Sequence, residues 1–195
     1  MRRLIAAWAL VGLLGHSLAL AQDAPNGIRA ELIASMTDAG GKIQELAGAF
    51  PDAKYRWKPN KDVRSTGQVF LHVVAANYVL PSLVGVKPPM GIDELGKLDT
   101  QTMEPAKIRQ MLKDSYAWAT KVVADMPDAD LELEMNFFGQ KITKRAGLLQ
   151  LASHSHEHLG QLIAYARSNG ITPPWTAREQ AAAKAKAEEK KKSGR

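Results

Sequence analysis

Apolar residues recur along the chain in four separate runs of helical period. Ile28, Leu32, Met36, Ala39, Ile43, Leu46 and Phe50 step by three and four, so they share one face of a first helix that Pro51 closes. A polar-aromatic connector, Tyr55-Arg56-Trp57-Lys58-Pro59-Asn60, follows. Ser65-Thr66-Gly67-Gln68 then has capping-box spacing: Ser65 caps a second helix and Gln68 reaches back. That helix carries Val69, His72, Val73, Ala76, Leu80 and Leu83, with Pro81 placed to kink its last turn. Gly85 to Met103, with Pro88-Pro89 and several glycines, reads as loop. Pro105 opens a third helix whose inner face is Ile108, Met111, Leu112, Ser115, Ala119, Val122 and Met126, and Pro127-Asp128 ends it. Leu131 to Ile142 alternates loosely around Phe138-Gly139-Gln140, the pattern of a short β-hairpin. Thr143 caps a fourth helix with the stripe Leu148, Leu151, Ser155, His158, Leu162 and Tyr165, stopped by Gly170 and Pro173-Pro174. Four amphipathic helices of about 20 residues predict an all-α four-helix bundle, with the hairpin between its third and fourth helices.

The two ends do not belong to this pattern. Met1-Arg2-Arg3 precedes an apolar run from Leu4 to Leu14, and Ala19-Leu20-Ala21 matches a small-x-small cleavage site before Gln22-Asp23. Residues 1-21 therefore read as a secretory signal peptide, too short and too interrupted by His16 and Ser17 for a transmembrane anchor. The expected location is periplasmic or secreted, with membrane contact only in transit. At the other end, 177-195 is rich in Ala, Lys and Glu and has almost nothing to bury. It reads as a solvated basic tail, helical in part. One bundle domain of about 150 residues is left at 22-176, within the usual size for a single core.

Composition narrows the chemistry. Among 195 residues there is no cysteine, which excludes a disulfide scaffold, Cys-ligated zinc or iron–sulfur, and a thiol nucleophile. The net charge is +6, but Arg2, Arg3 and the tail from Arg178 to Arg195 carry all of it. A neutral body with basic ends is not a nucleic-acid groove, which needs a basic face on the fold itself.

The histidines carry the strongest chemical signal. Of the 5, His16 leaves with the signal peptide. His154 and His158 stand one helical turn apart, with Cβ atoms about 6 Å apart, close enough to share one divalent ion. His156 is turned roughly 200° from either neighbour and points elsewhere. His72 lies on the inward stripe of another helix, where it can supply a third ligand. A single inward histidine is usually a hydrogen-bonded core residue, and an HxxxH pair alone is weak. Three imidazoles converging in a bundle, with no acidic partner on either stripe, would each need a polar partner, and one metal ion satisfies all three.

The segment "LLQLASHSHEHLGQLIAYARSNGITPP" resembles the fourth helix of the DinB/YfiT-like family of metalloenzymes, in which His, three residues, His, one residue and Gly-Gln-Leu follow in order. Here these are His154, His158 and Gly160-Gln161-Leu162. "YRWKPNKDVRSTGQVFLHVVAAN" places His72 at the family's first ligand. The resemblance covers roughly Ile28 to Trp175. It implies a bundle with a divalent metal, zinc or nickel, held by His72, His154 and His158. It also implies relatives that include thiol S-transferases and a thiol-dependent isomerase. Members are commonly cytoplasmic, so a signal peptide departs from the pattern, and the family's name implies no DNA binding.

A site of three neutral ligands leaves the ion its full charge, suited to activating water or a thiol, as in a hydrolase or thiol S-transferase. Glu157 flanks His158 as a candidate base or outer partner, against the plainer reading of a solvated side chain. Gln161, three residues after His158, is a candidate to orient a ligand or substrate, against the reading of a packing polar residue. His154 to His158 also contains H-x-x-E-H, the inverted-zincin arrangement, but its distant acidic ligand would have to come from Glu179, Glu188 or Glu189 in the Lys-rich tail. The further alternatives are a non-catalytic metal-binding or metal-sequestering protein and a structural bundle that has lost catalysis. The expected partner is a small-molecule substrate. A homodimer is compatible with the sequence, which does not set the oligomeric state.

The exported mature protein is expected to begin at Gln22. N-terminal sequencing checks this, and Met1 or an intact apolar segment on the mature chain would refute it.

Overall fold

The computed structural model describes residues 27–101 and 103–193, and the expected signal peptide, 1-21, lies outside them. Four long helices form the body: α1 (Gly27–Ala49), α2 (Thr66–Ser82), α4 (Pro105–Asp125) and α5 (Lys144–Ser168). A short α3 (Ile92–Leu95) lies between α2 and α4, and α6 (Pro174–Ser193) follows α5. The hairpin is present as β1 (Glu134–Phe137) and β2 (Gln140–Thr143), antiparallel, with Phe137 opposite Gln140. Its two-residue turn places Phe138 at φ 49° and Gly139 at φ 90°, the left-handed conformation that tight hairpins require. Among the described residues no helix is long and apolar enough to cross a membrane.

The bundle is not wound in sequence order. α1 packs on α4 and α5, and α2 packs on the same two helices, so α1 and α2 face each other across the diagonal. This arrangement makes α2 and α5 neighbours. Helix starts follow local chemistry. The Ser65 Oγ accepts from the Gln68 amide at 3.4 Å while Gln68 Oε1 accepts from the Ser65 amide at 2.8 Å, completing the capping box. Thr143 Oγ1 accepts from the Ala146 amide at 3.2 Å, and Pro105 occupies the first turn of α4. Pro81 sits in the last turn of α2, which ends one residue later.

The apolar stripes read from the sequence meet inside. Met36, Ile43, Leu46, Val69, Val73, Leu112, Ala119, Leu151 and Leu162 are all fully buried. The segment 85–103 is less irregular than its glycines and prolines suggest. Leu95 and Leu98, three residues apart, are buried at 1% exposure and anchor α3 and a 3-10 turn, Leu98–Thr100, against the body. That turn packs on α2. The helix of the tail begins at Pro174, before the compositional boundary at 176/177, with Trp175 packed against the core. Arg178 reaches back to both carboxylate oxygens of Glu45, at 2.9 and 3.1 Å, and every described residue beyond it is exposed.

Helices α1 and α4 approach closely at Gly40. A Cβ built there would stand 2.7 Å from the Tyr116 ring, whereas one at Gly41 meets nothing within 4 Å. Tyr116 cannot yield, because it is buried and its hydroxyl donates to Ser155 Oγ at 3.2 Å. Adjacent Gly→Ala changes should therefore have opposite signs. Gly41→Ala should stabilise by up to about 1 kcal/mol through helix propensity. Gly40→Ala should destabilise by about 1–2 kcal/mol, overpacking outweighing the same propensity gain. Urea denaturation of both variants checks this; equal shifts would mean that α1 and α4 are not in contact at Gly40.

Candidate metal centre

The α2–α5 interface brings His72, His154 and His158 together. His154 and His158 are i and i+4 on α5, and His72 faces them from α2, four residues after Gln68 of its capping box. The Nε2 atoms converge: His154 Nε2 stands 3.2 Å from His72 Nε2 and 3.2 Å from His158 Nε2. The ring centroids are 4.4 to 5.1 Å apart. Among the described residues this is the one group of three or more metal-ligating side chains within 4.8 Å of one another. His158 is buried and the other two are half-buried, so the site lies near the surface of the bundle.

The donor set fits a divalent ion. Two nitrogens bound to one zinc at about 2.0–2.1 Å and the tetrahedral angle stand about 3.3–3.4 Å apart, close to the separations seen here. Neutral rings alone leave the contacts unresolved, since each has one N–H and one lone pair. As an N–H, His154 Nε2 has one proton for two neighbours, and it could accept from both only if both carried their proton on Nε2. His72 cannot do so without turning a bare Nδ1 to the Asp99 carboxylate, 3.3 Å away. His154 Nδ1 is itself buried without a hydrogen-bond partner among the described residues. A cation between the Nε2 atoms removes the conflict, so the three residues expected as metal ligands are the three that would hold one.

Two groups behind the rings orient them, as outer partners of metal-ligating histidines commonly do. Asp99 faces His72 Nδ1 and also takes Arg64 Nε at 2.7 Å on the same oxygen. Gln161 Oε1 lies 2.8 Å from His158 Nδ1, and Gln161 Nε2 donates to the Tyr165 hydroxyl at 3.1 Å. Gln161 thus stands behind a ligand, occupied at both ends of its amide. Glu157 is exposed and makes no ion pair or hydrogen bond among the described residues. His156 points to α1, its Nε2 3.0 Å from Ser35 Oγ, apart from the trio as its helical angle predicts. Among the described residues no carboxylate oxygen joins the convergent ligand atoms of the three histidines, so the ligand set of an inverted zincin is not assembled there.

Sequence reading missed Asp99, Arg64 and Tyr165 as parts of the site. Asp99 had no signal, because it arrives from the segment read as loop. Tyr165 was legible as an apolar stripe residue, and its spacing of four from Gln161 was the available clue.

Burial and nearby charge favour the neutral form of two of the rings. The His154 pKa is pushed down to about 3, first by burial, then by His158, His72 and Arg64. His72 is lowered too, by burial first and then by Arg64 and His158, with Asp99 opposing. A neutral imidazole is the form that binds metal.

Comparison with known proteins bears on the fold and the family. The model of the DinB superfamily matches residues 36–162. No curated protein matches the chain. A DinB-like protein from Bacillus cereus ATCC 10987 is 21% identical, with a TM-score of 0.66 over 74% of this chain and 95% of that one. The DinB-like protein YjoA from Bacillus subtilis is 19% identical, with a TM-score of 0.58 over 73% and 93%. YfiT from Bacillus subtilis, named a probable metal-dependent hydrolase with an unusual four-helix bundle topology, is 16% identical, with a TM-score of 0.60 over 74% and 89%. These likenesses carry the fold, and the family match spans most of the bundle with all three histidines inside it: the chain belongs to the DinB superfamily.

Proposed function

We propose that this protein is an exported, divalent-metal-dependent enzyme acting on a small molecule, of hydrolase or thiol S-transferase type. The observation that carries the reading is the convergence of three Nε2 atoms, with His154 Nε2 3.2 Å from each of the other two. Zinc or nickel suits an all-imidazole donor set. The ion, when bound, would supply a Lewis acid that acidifies water or a thiol. The chain's own residues converge three imidazole rings, keep Asp99 and Gln161 against two of them, and leave the half-buried face of His72 and His154 open to a substrate. Glu157, exposed and directly before His158 in α5, is the candidate to move a proton. Export rests on the expected signal peptide.

One observation favours a second reading, a protein that binds metal without turnover. A well-formed cavity of about 570 Å³ lies at the N-terminal ends of α2 and α4, lined by Tyr55, Ser65, Gln68, Leu71, Gln101 and Ile108 among others, and none of the three histidines lines it. Turnover of ester, amide or thiol-transfer substrates by the metal-loaded protein, abolished in His154→Ala, separates the two readings.

Metal stoichiometry tests the site itself. The native protein should bind one divalent ion per chain. His72→Ala, His154→Ala and His158→Ala should each weaken binding far beyond the roughly 10–100-fold of an outer-partner change, and His156→Ala should change it little. Loss of the ion in His156→Ala with retention in His72→Ala would overturn the ligand set.

Metal-free protein should also show the cost of charging His154. Unfolded, the ring titrates near its ordinary value of about 6.5; folded, it titrates at about 3. The unfolded chain therefore binds more protons between these values, and stability rises with pH across them. The contribution is complete above about 6.5 and is lost as pH falls toward about 3. In chelator-treated samples, wild type should lose stability relative to His154→Gln between pH 7 and pH 4. A constant gap in denaturation midpoints, or one of opposite slope, would show that the ring is not held neutral by the fold.

A further inference from the structure

A directed hydrogen-bond chain ends at His158, and each link in it allows one orientation. It begins at the Arg64 backbone carbonyl, which can only accept. The Tyr165 hydroxyl lies 3.0 Å from that oxygen and donates to it. With its one proton committed, the Tyr165 oxygen accepts from Gln161 Nε2 at 3.1 Å. The amide is thereby oriented with Oε1 toward His158 Nδ1, 2.8 Å away. An amide oxygen can only accept, so His158 carries its proton on Nδ1 and leaves the Nε2 lone pair facing His154.

The origin of the chain is held firmly. Tyr165 is buried, with its ring edge-on to Trp57 at 5.2 Å between centroids. Arg64 is tied by its Nε to Asp99 at 2.7 Å, and Asp99 faces His72 Nδ1. One residue thus closes both arms behind the trio: its side chain through Asp99 to His72, its carbonyl through Tyr165 and Gln161 to His158. Between the two arms His154 Nδ1 has no partner among the described residues.

We propose that Tyr165 is a positioning residue that sets the tautomer of His158 through Gln161, presenting a bare Nε2 before any ion arrives. A histidine without such a partner exchanges between tautomers, and the fraction with a proton on Nε2 cannot ligate through that atom. This inference rests on the reading that the trio holds a divalent ion, but the tautomer is measurable without one.

The test is two-bond proton–nitrogen NMR correlation of the histidine rings in metal-free protein at neutral pH, paired with zinc titration against a chromophoric chelator. In wild type His158 should be protonated on Nδ1. Tyr165→Phe keeps the ring against Trp57 but frees the Gln161 amide to turn. The Nδ1-protonated fraction should fall, and zinc affinity should drop by about 10–100-fold. Adding Gln161→Glu to Tyr165→Phe should restore both, because a carboxylate accepts from Nδ1 in either orientation. A merely structural role for Tyr165 would not be rescued in this way. Gln161→Leu breaks the chain one link nearer without touching the buried tyrosine and should reproduce the loss, which covers the case in which Tyr165→Phe fails to fold. An unchanged tautomer in Tyr165→Phe or Gln161→Leu, or a folded double variant that stays shifted, would overturn the proposal. If zinc binds to none of the proteins while the tautomers move as stated, the metal reading fails and the positioning role stands.

Discussion

Three imidazole rings converge with His154 Nε2 3.2 Å from each of the other two Nε2 atoms, and the one proton that each neutral ring carries cannot satisfy both contacts while His72 and His158 also serve Asp99 and Gln161. The rest of the structure is arranged around that constraint. Two ligands come from one turn of α5, where a spacing of four makes their proximity automatic. The third must come from a helix that touches α5 along its length, and α2 does so because α1 and α2 lie across the diagonal of the bundle. A bundle wound strictly in sequence order could place α2 across from α5. The connection from α2 to α4 then matters as much as the helices. Its buried Leu95 and Leu98 fasten a 3-10 turn onto α2, and the next residue, Asp99, reaches the far nitrogen of His72.

Deeper in the bundle a second set of polar side chains is enclosed. Asn77 of α2 donates to Ser115 of α4 at 3.1 Å, and Tyr116 of α4 donates to Ser155 of α5 at 3.2 Å. Both serines donate onward to carbonyls of their own helices. Burial pushes the Tyr116 hydroxyl up to about 12, so it remains a donor throughout the physiological range. Buried polar groups cost free energy unless each finds a partner at one particular register. Ser155 follows His154 directly, so the bond from Tyr116 fixes α5 against α4 next to the site. The contact of Gly40 with Tyr116 continues the same set of constraints to α1.

Charge is distributed to match. The described tail is a helix exposed beyond Arg178, joined to the body by one solvent-facing ion pair with Glu45. Such pairs contribute little to stability. At the site the few charges are placed with more effect. Arg64 pairs with Asp99, and burial first, with the neighbouring rings and Arg64 adding to it, favours the neutral form of His72 and His154 that metals require.

Much of this was legible in the sequence. Helical period separated the four long helices because each buries one stripe, and local chemistry marked their starts at Ser65, Pro105 and Thr143. The HxxxH spacing and the resemblance to the DinB/YfiT-like family named His154 and His158, and the inward position of His72 made it a candidate. Helical angle alone turned His156 away. Tertiary structure decided what periodicity does not encode: which helices are neighbours, and hence that His72 meets α5 at all. It alone brought Asp99 in from an irregular segment, and it alone gave Gln161 and Tyr165 a shared direction through a backbone carbonyl of Arg64. Local patterns report a residue's own helix face, because that face depends on near neighbours in the chain. The pairs behind the rings, His72–Asp99, His158–Gln161 and Tyr165–Arg64, span 27, 3 and 101 residues, and only packing can join the distant ones.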